Sequence, residues 1–245
     1  MKLSLKKEPS RRDVWKMFDK IAGRYDLLNR LLSLGIDRLW RKKVAVFFPF
    51  GKDLLALDLA TGTADQLIFL FEKRSNLKAA IGMDMSKRMM AIGLNKVKKK
   101  GLLKKISFNA GDTMNIPSRD NLFDVVTISF GIRNMTNVSL ALDEMYRVLK
   151  SGGRVLVLEF SLPKKGIFRD VYLIYLRNIL PKIGALISGD PGSYKYLNKT
   201  IETFPYGKKF CDLLACSGFS NVTCHPLTFG IATIYQGDKI VRKIP

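Results

Sequence analysis

Five short apolar runs, at residues 54–59, 79–83, 106–110, 123–130 and 154–160, recur along the chain with helical stretches between most of them. This alternation constrains the fold more than any other feature, because parallel neighbouring strands need a crossover long enough to hold a helix. It predicts an α/β architecture, a mostly parallel sheet covered by helices on both faces. Ligands of such sheets bind beyond the carboxyl ends of the strands, and Gly62, Asp84, Asp112 and Ser129 all fall at those ends. The carboxyl-terminal part reads differently. NVTCHPLTFGIATIYQGDK holds two β-rich runs around Phe229 and Gly230, which predicts a hairpin adding an antiparallel strand.

The first run carries the sharpest chemistry. LLALDLATGTAD, residues 54–65, breaks from a strand into a Thr/Gly turn and then a helix, with carboxylates at Asp58 and Asp65. Small residues let backbone N–H groups approach a ligand closely, and a helix N-terminus favours an anionic ligand group. Gly-Thr turns also close ordinary strands, so the turn alone leaves both readings open. The second run ends at Asp84, 26 residues after Asp58. A carboxylate there accepts hydrogen bonds from both ribose hydroxyls. A dinucleotide site asks for G-x-G-x-x-G, whereas Ala64 and Leu67 stand where the later glycines would be. The pattern points to a nucleoside without a diphosphate, such as S-adenosylmethionine.

With 245 residues, 47% of them hydrophobic, and no Ser/Pro/Gly-rich linker, the chain is expected to form one domain over 1–245. Its 42 Lys and Arg against 21 Asp and Glu give a formal charge of +21, which predicts an acidic partner surface, nucleic acid or an anionic membrane face. The charge is uneven: residues 1–52 hold 14 basic against five acidic residues, and 87–105 hold eight against none. The plain alternative for part of this charge is solvated helix faces. Cys211, Cys216 and Cys224 have no C-x-x-C spacing or histidine cluster, so neither a disulfide framework nor a metal site is expected. MKLSLKKEPSRRD lacks an apolar signal core, and no stretch reaches the roughly 18 apolar residues of a membrane span. The expected location is cytoplasmic, soluble or peripheral at the inner face of the cell membrane.

Two segments stand outside the alternation. Residues 10–48 are helical, with Trp15, Phe18, Ile21, Tyr25 and Leu28 at three- and four-residue spacing. They read as a helical cap over residues 1–50 or, more plainly, as a helix packed on the sheet edge. Residues 161–205 contain VYLIYLRNILPKIGALI, in which Pro181, Arg177 and Lys182 argue against a membrane span. This insert reads either as a buried core helix or as an apolar lid over the cofactor and substrate site.

YDLLNRLLSLGIDRLW at 25–40 and RVLKSGGRVLVLEFS at 147–161 resemble the two signatures of the ubiquinone/menaquinone biosynthesis C-methyltransferases. TISFGIRNMTN at 127–137 and SGDPGSYKYLNKTIETFP at 188–205 resemble that family as well, and the similarity runs from about Phe18 to Tyr235. The chain departs from the pattern at four positions. Leu28 replaces Met, Asp37 replaces His, Ser151 replaces Pro or Val, and Ala64 replaces Gly in the cofactor turn. Leu28 conserves volume, and Ala64 is harmless provided its φ is negative. Asp37 exchanges a base that titrates near neutrality for a carboxylate, so no role resting on histidine carries over.

The resemblance implies a class I S-adenosylmethionine-dependent methyltransferase fold, with a seven-stranded, mostly parallel sheet and an antiparallel C-terminal hairpin strand. It implies methyl transfer to a ring carbon of a prenylated quinol, demethylmenaquinol being favoured over a benzoquinol. Carried over position by position, the cofactor contacts are Thr63, Asp84, Gly111, Asp112 and Ser129, with Asp58, Gly62 and Met85 beside them. Methylation of carbon needs an electron-rich ring within about 3–3.5 Å of the methyl and loss of a phenolic proton. His225, the one histidine, lies in the predicted hairpin and reads as structural. The catalytic candidates are Arg133, Asn134, Tyr25 and Asp26, with Asn29 and Asp37 as lesser ones for pocket polarity. Arginine stays protonated, so Arg133 suits phenolate stabilisation or the positioning of a water, and the proton then falls to water. The plain alternatives are a structural salt bridge from Arg133 to Asp26 and a packing role for Tyr25. An RNA methyltransferase would suit the charge. SFGIRN, however, stands where a base-amine methyltransferase carries Asn/Asp-Pro-Pro-aromatic, so no nucleic acid partner is expected.

Overall fold

One seven-stranded sheet organises the computed structural model, which describes residues 11–164, 166–179, 181–182 and 191–240. In chain order come α1 (Val14–Leu32), α2 (Asp37–Val44), β1 (Leu54–Leu59), α3 (Asp65–Lys73), β2 (Leu77–Asp84), α4 (Lys87–Lys99), β3 (Ile106–Ala110) and β4 (Phe123–Ser129). They are followed by α5 (Val138–Val148), β5 (Leu149–Phe160), α6 (Ile167–Ile174), α7 (Pro191–Thr203), α8 (Lys208–Cys216), β6 (Ser220–Leu227) and β7 (Ala232–Asp238). The strand order is β3-β2-β1-β4-β5-β7-β6, with the first five strands mutually parallel and β7 antiparallel to both neighbours. β2 and β5 begin earlier than their apolar runs, at Leu77 and Leu149, because these residues already pair with Leu54 and Phe123 across polar intervening positions.

The central strands are buried on both faces, as near-continuous apolar runs require. Along β5, Val155 and Val157 enter one core with Leu142, Met145 and Phe210, while Leu156 and Leu158 enter the other with Trp40, Leu67 and Val97. β6 at the sheet edge alternates between exposed and half-buried residues and contains Pro226, whose missing N–H an edge strand tolerates. α4 and α5 are capped by side chains: Ser86 Oγ accepts from the Met89 N–H, and Asn137 Oδ1 from the Leu140 N–H.

Helix α1 packs along α4 and is tied down by polar contacts. Ser86 donates to Asp19, Thr63 Oγ1 to Asp26 at 2.6 Å, and Arg30 to Asp65 at 3.0 Å. The insert packs on α1 in turn, through a small core of Leu28, Leu162, Tyr172, Leu176 and Ile201. Of the insert motifs, residues 180, 183–187 and 188–190 lie outside the described residues, as do 1–10 of the amino-terminal segment.

Candidate active site

The carboxyl ends of β1 to β4 open onto a cavity of about 280 Å³. Asp84 closes the tip of β2 at its edge. Its Oδ2 accepts from the Gly62 N–H and its Oδ1 from the Ser86 N–H, each at 2.8 Å. The carboxylate is thereby clamped between two turns, with accepting capacity left on both oxygens. Burial pushes its pKa up, and the N–H donors pull it back. Gly62 has φ +55, and a Cβ there would come within 3.0 Å of the Met89 methyl. After β3, a Cβ on Gly111 would meet Met83 Sδ at 2.6 Å. Glycine at both positions keeps the backbone close to whatever fills the cavity. Asp112 Oδ1 accepts from the Met114 N–H at 2.9 Å, which leaves Oδ2 uncommitted. Met85 and Ser129 complete this part of the lining.

This donor and acceptor set fits S-adenosylmethionine. Two carboxylates with spare lone pairs suit ribose hydroxyls and an exocyclic amine, and Met85, Met89 and Met114 supply apolar walls for a purine.

The other wall brings in the amino-terminal helix. Trp15, Phe18 and Tyr25 of α1 line the cavity, with Phe18 edge-on to Tyr25 at 5.9 Å between ring centroids. Arg11 joins them from just before α1. The aromatic stripe, legible as one face of a helix, lies over the strand ends and not at the sheet edge. Asn134, after β4, also lines the cavity, and its Oδ1 accepts from the Tyr196 hydroxyl of α7 at 3.2 Å. Among the described residues, no side chain from 161–205 is in the cavity lining, and the Tyr196–Asn134 hydrogen bond links the insert to it.

Four expected site residues lie behind the cavity wall instead of in it. Asp58 is buried and accepts from the Thr61 and Thr127 hydroxyls at 2.7 and 2.5 Å; burial pushes its pKa up to about 6. Thr63 and Asp26 bond each other, and Lys96 bridges Asp26 at 2.6 Å and Asp65 at 2.5 Å. Arg133 is paired with Glu159, not with Asp26, whose oxygens are already engaged. Its Nη1 also donates to the Phe130 carbonyl at 2.8 Å, while Nε has no partner among the described residues.

Two further expectations are corrected. Ala64 has φ +62, a left-handed conformation that a side chain disfavours, so it is not the harmless replacement that a negative φ would make it. Asp37 is buried away from the cavity, accepting from the Ser33 hydroxyl at 2.9 Å and facing the Arg41 Nε at 3.8 Å. It balances a buried cation rather than adding polarity to the pocket. His225 stacks on Phe47 at 4.2 Å, remote from the strand tips, as a structural residue would.

The model of the ubiE/COQ5 methyltransferase family matches residues 5–239. A Bacteroides fragilis demethylmenaquinone methyltransferase is 42% identical over 226 residues, covering 92% of each chain, and a Thermus thermophilus protein of the same name is 44% identical over 91% of this chain and 100% of its own. A Geotalea daltonii ubiquinone/menaquinone biosynthesis C-methyltransferase is 42% identical over 92% of this chain and 96% of its own. The fold is shared with an S-adenosylmethionine-dependent methyltransferase of Thermotoga maritima, described as a possible histamine N-methyltransferase, at a TM-score of 0.64 and 20% identity over 92% of this chain and 99% of that one. It is shared equally with a Methanococcus maripaludis protein at a TM-score of 0.64, 20% identity and full coverage of both chains. The chain belongs to the ubiE/COQ5 methyltransferase family.

Proposed function

We propose that the protein methylates a ring carbon of a demethylated prenylated quinol, converting demethylmenaquinol to menaquinol. One observation carries this reading: a single cavity brings Asp84 and Asp112, suited to a nucleoside, together with Tyr25 and Asn134 from two of the motifs shared with the quinone-methylating family. The names of the Bacteroides and Thermus relatives favour the naphthoquinol over the benzoquinol.

The cofactor supplies a sulfonium methyl, an electrophile open to in-line attack by an electron-rich carbon. Asp84 would hold the ribose hydroxyls and Asp112 the adenine amine, with Gly62 and Gly111 admitting the nucleoside against the backbone. Tyr25 and Asn134 orient the quinol oxygens, and the aromatic rings of Trp15 and Phe18 exclude water from the ring. Burial pushes the Tyr172 and Tyr196 hydroxyls up in pKa, so neither takes the phenolic proton at neutral pH. Asp26 is held by Thr63 and Lys96 and shapes the cofactor turn instead of acting as base. Arg133, fixed by Glu159 and adjacent to Asn134, supplies positive charge for a developing phenolate, and the proton passes to water.

Incubation of the purified protein with labelled cofactor and each demethylated quinol tests the reading. Label is expected in menaquinol. Transfer only to the benzoquinol would move the assignment to the ubiquinone precursor, and transfer to neither would overturn it.

No described helix is long and apolar enough to cross a membrane. A prenylated acceptor resides in the bilayer, and the charge of +21 suits attraction to anionic lipids, each near-surface Lys or Arg contributing about 1 kcal/mol. The protein accordingly acts as a peripheral enzyme at the inner face of the membrane. Equal co-sedimentation with neutral and anionic vesicles would refute that placement.

A further inference from the structure

Helix α6 turns Tyr172 into the protein and presents Ile167, Phe168, Val171 and Ile174 to solvent. Ile167 is 85% exposed and Val171 58%. At helical spacing these four residues occupy one arc of about 120°. The Phe168 ring packs against Phe229, centroids 5.0 Å apart, and Phe229 is itself 81% exposed at the turn between β6 and β7. The apolar face therefore runs from the helix onto the hairpin. Single exposed apolar residues are ordinary, whereas a contiguous set marks an interaction surface.

The charge around this face selects its occupant. Residues 161–182 hold five Lys and Arg against one Asp; Arg177 is paired with Glu202 of α7, while Lys164, three residues before α6, is exposed. Two chains of charge +21 repel each other, which disfavours a second copy, while an anionic surface attracts them. Apolar side chains on a basic segment match the boundary between headgroups and acyl chains, where a helix lies in the plane of the bilayer.

We propose that Ile167, Phe168, Val171, Ile174 and Phe229 form the face on which the protein seats on an anionic lipid bilayer. The assignment rests on the reading that the acceptor carries a prenyl chain, which lies among the acyl tails. Through Tyr172 of α6 and Leu176 just beyond it, the insert packs on Leu28 of α1, the helix that also carries Trp15 and Tyr25 into the cavity. Docking thus brings the bilayer against the elements that wall the site.

The test uses the full chain. In co-flotation with mixed phosphatidylglycerol and phosphatidylcholine vesicles, combined Ile167→Ser, Val171→Ser and Phe229→Ser substitutions lower partitioning about tenfold or more. Combined Leu103→Ser and Leu140→Ser substitutions, at exposed apolar residues elsewhere, leave it unchanged. Phe168→Trp adds emission, over the Trp15 and Trp40 background, that shifts to the blue with vesicles and is quenched by brominated acyl chains. Unchanged circular dichroism and cofactor affinity establish that the triple variant is folded. Equal flotation of the triple variant and its parent overturns the proposal, as does a residue-168 tryptophan that stays in water. A concentration-dependent dimer abolished by the triple substitution overturns it as well. A parent that docks through this face but methylates no quinol removes the functional reading and leaves the face standing. A parent that methylates quinol while the triple variant floats equally well removes the face alone.

Discussion

Nη1 of Arg133 lies 2.5 Å from Oε1 of Glu159, a carboxylate on β5 with no solvent exposure. The Glu159 carboxylate also accepts from the Phe160 N–H at 2.7 Å, and the guanidinium lies over the Phe160 ring. Removing one partner of a buried pair strands the other charge, at a cost of about 3–5 kcal/mol. Glu159→Ala is therefore expected to lower stability by that amount in urea unfolding, and the double variant with Arg133→Ala to lose less than the sum.

Arg133→Ala also tests the chemistry. Turnover at saturating cofactor is expected to fall by about tenfold or more while cofactor affinity holds, because Arg133 lies outside the cavity lining and acts on developing charge. Unchanged turnover would remove Arg133 from the mechanism.

Asp84 holds two turns and keeps lone pairs for the ribose, so Asp84→Asn loses both a backbone acceptor and a ligand acceptor. Cofactor affinity by calorimetry is expected to drop about tenfold or more. Gly111→Ala, whose new methyl would overlap Met83, weakens binding in the same assay by displacing the backbone.

Asp58 makes stability fall with rising pH. Its folded pKa of about 6 exceeds the ordinary 3.8, so the native state holds the proton more readily than the unfolded chain. The contribution is complete below 3.8 and lost as pH rises through about 6, a loss of about 3 kcal/mol. Asp58→Asn should remove that dependence. The stability difference between parent and variant, from urea unfolding at about pH 4 and about pH 7, measures it directly.

Ala64 stands at φ +62 with no solvent exposure, and a Cβ on Gly93 would meet its own Cβ at 3.2 Å. Ala64→Gly relieves about 1–2 kcal/mol of backbone strain but gives up about 0.8 kcal/mol of methyl burial, so stability changes by about 1 kcal/mol or less. Ala64→Val has no such offset and is expected to lower stability by about 2 kcal/mol or more in thermal or urea unfolding.

Much of the sheet was readable along the chain. The bounds of β1 and β3 follow from apolar runs bordered by turn residues, and the β6–β7 hairpin from two β-rich runs around Phe229 and Gly230. Gly62, Asp84, Asp112 and Ser129 could be placed beside one cavity because strand tips in a parallel sheet converge wherever the loops go. Period and burial are local properties, and they determined the α/β class, the strand tips and the polar character of the cofactor wall.

Tertiary structure decided which polar groups face the ligand and which are spent inside. Asp58 and Thr63 lie in the same 54–65 motif as Gly62, yet their hydrogen bonds to Thr127 and Asp26, with Lys96 holding Asp26 in turn, direct them away from the cavity. Glu159 as the partner of Arg133, 26 residues distant, and the left-handed Ala64 were equally hidden. The reason is physical: a carboxylate's partner is set by where separate elements cross, and a φ angle by the path the chain must take between them, and neither is written in residue spacing.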